Sequence, residues 1–388
     1  MKNNIIIEIY GTGTHNRGAE LMAVAIWQRI SNKFPNIKFA VEPKSWPYQS
    51  RAKYGFHVTG DLPGRKHKRF LKSLYLILMP KVLCKIFGLV RQKDIDIVID
   101  ASGFAFSDQW GHGQARRLYR KMNKKESKHQ LLILMPQALG PFNKKEVRYY
   151  SRKIFERADI VCARDDISFR ESEKLTAGEN LKRYPDFTIG VEPLDIESIS
   201  LPANFSAIVP NVRMLDKTEN ASAYITFLKT ALDESASRGM NPVFVLHDSE
   251  EDKKIIDLID KEGHYPVYTD EDPRVLKAIL GRAKFVIASR FHALVSALSQ
   301  GVICIGAGWS HKYPELFRDF DNSDFLVSDI SDCSLLIQLL DRIEDTERLS
   351  IDKQRLLTAA QLLKKDVEKM WNDIESLVLA KIEKVNVH

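Results

Sequence analysis

Four cysteines in 388 residues (Cys84, Cys162, Cys304 and Cys333) stand far apart and include no C-x-x-C pair. That spacing excludes a zinc knuckle and a disulfide framework, and it suits a reducing compartment. No run approaches the roughly 20 apolar residues that span a bilayer. The short apolar run at residues 5–7 is broken by Glu8, so no signal peptide is expected and the compartment expected is the cytoplasm. Acidic residues are missing from the whole stretch Gly64–Lys93, GRKHKRFLKSLYLILMPKVLCKIFGLVRQK, which holds much of the net charge of +7. A basic flank beside an apolar helix can settle on anionic lipid at the inner face of the membrane; equally it can be the solvated entrance to a buried helix. Nucleic acid is not expected as a partner, because the aromatics are not interleaved with the cations and no nucleic-acid motif occurs.

Nucleotide fingerprints are also lacking. The loop Gly11–Gly18, GTGTHNRG, has Asn16 where a dinucleotide fold needs its third glycine. Ala19-Glu20 follow Gly18 where a P-loop needs Lys and Ser or Thr. What remains is a strand-to-helix turn that places Asn16, Arg17 and Glu20 at a sheet rim, or a plain turn.

Present instead is a regular alternation of apolar strands and amphipathic helices, with 44% apolar and 28% charged residues overall. Strands are predicted at residues 5–10, 37–42, 96–101, 131–136 and 159–163. Residues 185–201 change character and read as a linker. Alternation resumes with strands at 205–210, 242–246, 265–268, 285–288 and 302–305. Residues 351–381 read as one long helix with Leu356, Ala360, Leu363, Val367, Met370, Ile374 and Leu377 on one stripe. The fold class is therefore α/β, with a first domain at 1–190, a second at 203–345, and a tail at 346–388 that crosses back to brace the first.

The stretch Ala283–Tyr313, AKFVIASRFHALVSALSQGVICIGAGWSHKY, reads as a compact βαβ unit. Ser289 is expected at the N-cap, Gly301 just past the C-terminus, and Gly306-Ala307-Gly308 as a turn. Arg290, His292 and Lys312 then emerge at the C-terminal ends of parallel strands, where open α/β sheets bind ligands. Arg164, Asn211 and Arg213 follow other predicted strands, although Arg164 can simply pair with Asp165 and Asp166. Ser102-Gly103 brings backbone close to the rim beside Asp100 and Asp108. Converging cations without metal-ligand spacing suit a small, highly anionic substrate gripped by arginines. His292 near a helix N-terminus, facing a bound anion, is suited to proton donation.

The motif S-R-F-H-A, the strand after it, and G-x-G-W-S-H-K-Y with Glu315-Leu316-Phe317 resemble the polysaccharide pyruvyl transferase family. Asn16–Glu20 (N-x-G-x-E), Gln137–Pro141, Ala163–Ser168 and Asn211–Arg213 resemble further family positions, in order along most of the chain. The resemblance implies a GT-B-like fold, two Rossmann-like domains facing across a cleft. It also implies transfer of the enolpyruvyl group of phosphoenolpyruvate onto a sugar, or a lipid-linked oligosaccharide, of a bacterial surface polysaccharide, as a ketal. Arg164, Arg213, His292 and Lys312 would form the phosphoenolpyruvate site, with His292 as the acid; phosphoenolpyruvate is a donor substrate, and neither cofactor nor metal is expected. Arg290, Asn211, Asn16, Gly18, Glu20, Ser102 and Gly103 would line the substrates, and Asp100, Asp108 and Glu20 are the candidate bases. Ala19 replaces a common Asp, and Ser102-Gly103 a more glycine-rich turn; both bear on the acceptor. Two rivals stand beside this reading: a GT-B glycosyltransferase, with Glu315 placed for a ribose, and a non-catalytic binding protein. If Gly64–Lys93 docks on membranes, vesicle cosedimentation should require anionic lipid and fade with salt. Equal binding to neutral vesicles would leave only the buried-helix reading.

Overall fold

The structure, a computed structural model, describes residues 5–59, 81–176, 178–217, 220–248 and 251–387. Most of the basic stretch, and with it the expected membrane contact, falls outside these residues. Among the described residues no helix is long and apolar enough to cross a membrane.

The chain divides into two units, each built on its own parallel sheet. The first comprises Met1–His15, Met22–Phe187 and Glu368–His388. Its strands are β1 (Ile6–Tyr10), β2 (Lys38–Val41), β3 (His57–Thr59), β4 (Leu89–Val90), β5 (Ile97–Asp100), β6 (Leu131–Gln137), β7 (Ile160–Ala163) and β8 (Leu181–Arg183). They run in the order β4-β3-β2-β1-β5-β6-β7-β8. Strands covered by helices on both faces are near-continuous apolar runs, and β5 and β7 are buried at every residue, Asp100 at the end of β5 included. One face packs on the helices Gly113–Met122 and Lys145–Arg157 through Val98, Leu118, Leu132, Leu134, Ile154 and Phe155. Each such side chain contributes about 1.5–3 kcal/mol on burial.

The second unit comprises Asn16–Leu21 and Thr188–Val367. Its strands are β9 (Ser206–Val209), β10 (Val243–Val245), β11 (Val267–Tyr268), β12 (Phe285–Ala288), β13 (Cys304–Ala307) and β14 (Leu326–Val327). Their order is β11-β10-β9-β12-β13-β14. Counted within the unit this is 3-2-1-4-5-6, the doubly wound order, whose direction reverses between β9 and β12. The corresponding reversal in the first unit lies between β1 and β5.

Several local expectations shift. Ser289 is not the N-cap: the helix is Phe291–Leu298, Arg290 holds the extended cap position, and no side chain caps it. Gly306 and Ala307 belong to β13, so the turn starts only at Gly308. The strands β3, β4, β8 and β14 were not expected, because two or three residues are too few to show a period. The tail is a helix of 42 residues, Thr346–Val387. Its buried stripe runs as expected through Leu356, Ala360, Leu363, Val367, Met370 and Ile374, then continues in Val378 rather than Leu377. Only the part from Glu368 belongs to the first unit. There Arg29 Nε donates to Glu375 at 2.6 Å and Trp371 meets Phe187 edge-on at 6.1 Å. The part up to Val367 belongs to the second unit, in which Leu357 lies over Gly301. Asn16–Leu21, expected in the first domain, also belongs to the second unit, for reasons given below.

Gly301 takes φ +78°, and a Cβ there would stand 2.4 Å from Leu357 Cδ2. A residue with a Cβ costs about 1–2 kcal/mol in that conformation. Gly301→Ala should therefore lower Tm by several degrees, at about 2–4 °C per kcal/mol for a domain of this size. An unchanged melting curve would show that this turn relaxes freely.

Candidate functional site

In the second unit, β10, β9, β12 and β13 lie side by side and end at one rim. Two residues beyond each strand end stand His247, Asn211, Arg290 and Trp309. Asn211 Nδ2 donates to Ser289 O at 2.7 Å, and Tyr313 Oη donates to the same oxygen at 2.9 Å. Asn211 N donates to Tyr224 Oη at 3.0 Å, and Asn211 Oδ1 accepts from Arg213 N at 3.0 Å. Asn211 is thus 4% exposed and serves as a brace between β9 and β12.

Arg290 Nε donates to Asp252 Oδ2 at 2.8 Å, its Nη2 reaches Asp252 Oδ1, and Asp248 Oδ2 lies at 3.5 Å. Asp252 Oδ1 also accepts from Val212 N at 3.0 Å. Burial pushes the Asp252 carboxyl up, while Arg290 and the Val212 amide pull it back. The guanidinium that the sequence suggested for substrate is therefore held by carboxylates, and its charge is largely balanced.

The strip Asn16–Leu21 joins this rim. Arg17 N donates to His247 O at 3.0 Å, and Arg17 Nη1 donates to Glu271 O at 3.3 Å and Glu20 Oε2 at 2.6 Å. Asn16 Oδ1 accepts from Gly18 N at 2.8 Å. A Cβ on Gly18 would stand 2.3 Å from His292 Nδ1, so only glycine lets the strip lie against that imidazole. These contacts explain why the strip, which from Arg17 on is the start of the helix Arg17–Lys33, belongs to the second unit. His292 itself is the second residue of the helix Phe291–Leu298, where backbone amides point outward.

Lys312 opens the helix Lys312–Asp319. A cation is disfavoured at that end of a helix dipole. Here Nζ sits over the rings of Trp309 at 5.0 Å, Tyr313 at 5.3 Å and Phe291 at 5.5 Å, and cation–π attraction offsets the cost. Gly308 gives the Tyr313 ring its place, since a Cβ there would approach Tyr313 Cγ to 2.1 Å. Arg213 is half exposed and pairs with Asp216 at 2.6 Å. Glu315 is 3% exposed and accepts from Arg318 Nη2 at 2.6 Å, so the carboxylate suggested for a ribose is engaged.

The remaining candidates belong to the first unit. Arg164, just past β7, is 4% exposed and reaches Asp186 Oδ2 at 3.1 Å rather than Asp165. Asp165 instead caps the helix Asp166–Glu173 through Ser168 N, as its sequence position suggests. Ser102 Oγ lies 2.7 and 2.8 Å from the two oxygens of Asp100, beside Gly11 at the β1–β5 reversal. Burial lifts the Asp100 carboxyl to about 6, against the hydrogen bonds from Ser102 and Gln137. Gly103 takes φ +73° next to Met22. Of the other candidate bases, Asp108 is spent on the amides of Asn143 and Lys144, at 2.7 and 3.0 Å, and Glu20 on Arg17. Among the described residues, no three His, Cys, Asp or Glu side chains group to hold a metal ion.

Sequence reasoning missed His247, Asp252 and Ser310. His247 is 2% exposed, and Ser310 Oγ is a buried hydroxyl without a hydrogen-bond partner among the described residues. The signal for His247 was available: it follows its apolar strand at the same distance as Asn211 and Arg290 follow theirs.

Comparisons with known proteins fit this geometry. A family model described as polysaccharide pyruvyl transferase matches residues 16–311, beginning at the strip that closes on His292. A comparison with curated proteins finds no match. Among solved structures, a Listeria monocytogenes protein assigned as a UDP-N-acetylglucosamine 2-epimerase aligns with TM-score 0.61 at 12% identity, covering 98% of each chain. The S. aureus protein MnaA, solved with UDP, aligns with TM-score 0.58 at 10% identity and 97% coverage of both. The Anabaena protein HepE, solved with UDP and glucose, aligns with TM-score 0.57 at 11% identity over 96% of this chain and 99% of its own. At such identities the likeness establishes the fold, a GT-B-like pair of parallel-sheet domains.

Burial holds His247 neutral, lowering it from 6.5 to about 3, with Arg290, His292 and Arg17 acting in the same direction. Between those pH values the unfolded chain takes up a proton that the folded chain does not. Stability from this group is thus intact above pH 6.5 and is lost as pH falls, by about 1.4 kcal/mol per unit. His247→Gln should lose less, so its Tm should gain on wild type as pH falls from 6.5 toward 4. Parallel Tm curves would contradict the buried neutral imidazole.

Proposed function

The chain belongs to the polysaccharide pyruvyl transferase family, and from that premise we propose that it transfers the enolpyruvyl group of phosphoenolpyruvate to a sugar acceptor as a ketal. The observation that carries the reading is the placement of His292. It stands at the amide-rich start of a helix, at the reversal of the second sheet, with the bare Cα of Gly18 against its ring.

In this reading His292 protonates the terminal enol carbon of phosphoenolpyruvate, leaving an oxocarbenium centre beside the carboxylate. A sugar hydroxyl adds to that centre and gives up its proton. The C–O bond to phosphate then breaks, and a second hydroxyl of the same sugar closes the ring. The sum is phosphoenolpyruvate plus a diol giving a cyclic ketal plus phosphate, with no resident cofactor. Lys312 and Arg213, with the helix amides, would stabilise the departing phosphate electrostatically. Arg290, balanced by Asp252, would position the neighbouring strand ends rather than supply charge. The acceptor is proposed to be a sugar, free or lipid-linked, of a surface polysaccharide. In the first unit, Ser102 and Gly103 are the proposed acceptor-side elements, with Asp100 as the base acting through Ser102.

Isothermal titration with phosphoenolpyruvate and with UDP tests the donor. Binding of phosphoenolpyruvate with release of phosphate in the presence of a diol sugar is expected. His292→Gln should bind phosphoenolpyruvate within a few-fold of wild type yet lose at least about a hundredfold in kcat, since a proton donor acts mainly in the transition state. Retained turnover in that variant would move the acid elsewhere. Binding of UDP with indifference to phosphoenolpyruvate would hand the site to the glycosyltransferase reading.

A further inference from the structure

At the rim, His247 differs from Asn211 and Arg290. Asn211 and Arg290 are committed to Ser289 O and Asp252. The main-chain oxygen of His247 is committed as well, to Arg17 N. Its side chain is not: among the described residues Nε2 is buried without a hydrogen-bond partner. A buried polar atom left in that state forfeits its hydration with nothing in return, and folded proteins retain few of them without a use. The groups whose charges bear on the ring include Arg17, Arg290 and His292. Asp252 and Asp248 lie on Arg290. An acceptor oxygen opposite Nε2 would satisfy that buried atom.

We infer that His247 is a further ligand-contacting residue, its Nε2–H donating a hydrogen bond to an oxygen of the anionic donor substrate beside Arg17, Arg290 and His292. The identity of that substrate rests on the phosphoenolpyruvate reading above. An anion offers acceptors alone, so the imidazole carries its proton on Nε2, which sets the tautomer. A neutral donor adds attraction without adding charge, in a rim where Arg290 and Arg17 are already paired with carboxylates.

The test compares wild type with His247→Gln, His247→Asn and His247→Phe by titration calorimetry with phosphoenolpyruvate. Gln carries its amide nitrogen at about the reach of Nε2, Asn at that of Nδ1, and Phe keeps the ring without a donor. Gln should stay within about threefold of wild type, whereas Asn and Phe should weaken binding about tenfold to a hundredfold, the span expected for a hydrogen bond to a charged group. Melting curves establish that each variant is folded; should Phe fail to fold, the Gln and Asn pair carries the comparison. A folded Phe or Asn variant with wild-type affinity overturns the inference, as does a Gln variant as weak as Asn. If wild type does not bind phosphoenolpyruvate, the functional reading fails first, and the same variants titrated with inorganic phosphate test the contact separately. Weakening in Asn and Phe alone would uphold it; equal behaviour of all four proteins would overturn it.

Discussion

The carboxylate of Asp252 ties together three strand ends of the second unit. It follows β10, accepts from the Val212 amide beyond β9, and clasps Arg290 beyond β12. Removing one partner of a buried pair costs about 3–5 kcal/mol, because the charge left behind has no water to turn to. Everything at this rim hangs from that clasp. Arg290 also holds the cap position of the helix that carries His292, so the clasp grips the residue from which that helix starts.

A second regularity concerns the cations. The sequence shows Arg164, Arg213 and Arg290 as apparent anion ligands, yet each meets an aspartate: Asp186, Asp216 and Asp252. Lys312 also lies against three aromatic faces, which lower its energy at the positive end of its helix. An arginine bound to a carboxylate is oriented rather than idle, since five donors exceed what one carboxylate can accept.

Much of the architecture was legible because parallel strands buried on both faces must be apolar runs, and runs such as FVIA at 285–288 admit little else. The two-sheet arrangement and the long terminal helix followed from the alternation, and the family from S-R-F-H-A and its downstream motif. What was not legible rests on contacts distant in sequence. Nothing in A-R-D-D tells that Arg164 prefers Asp186, 22 positions away, to its immediate neighbours. Nothing local moves Asn16–Leu21 from one unit to the other. Strands of two or three residues, β4 and β14 among them, are held by their neighbours rather than by their own composition.

The second unit is discontinuous in the chain, and this governs the order in which it can be completed. Arg17 reaches an oxygen 254 positions away, at Glu271. Contacts of such separation carry the highest loop-closure entropy and form late. During synthesis the strip is made before the strand ends it covers, which emerge more than two hundred residues later. The sheet of residues 188–367 can therefore assemble before its rim is closed, leaving His292 without Gly18 and the His247 carbonyl without Arg17 N until the strip arrives. A fragment of residues 188–367 would carry every strand of that sheet and still lack the strip that sets Gly18 against His292.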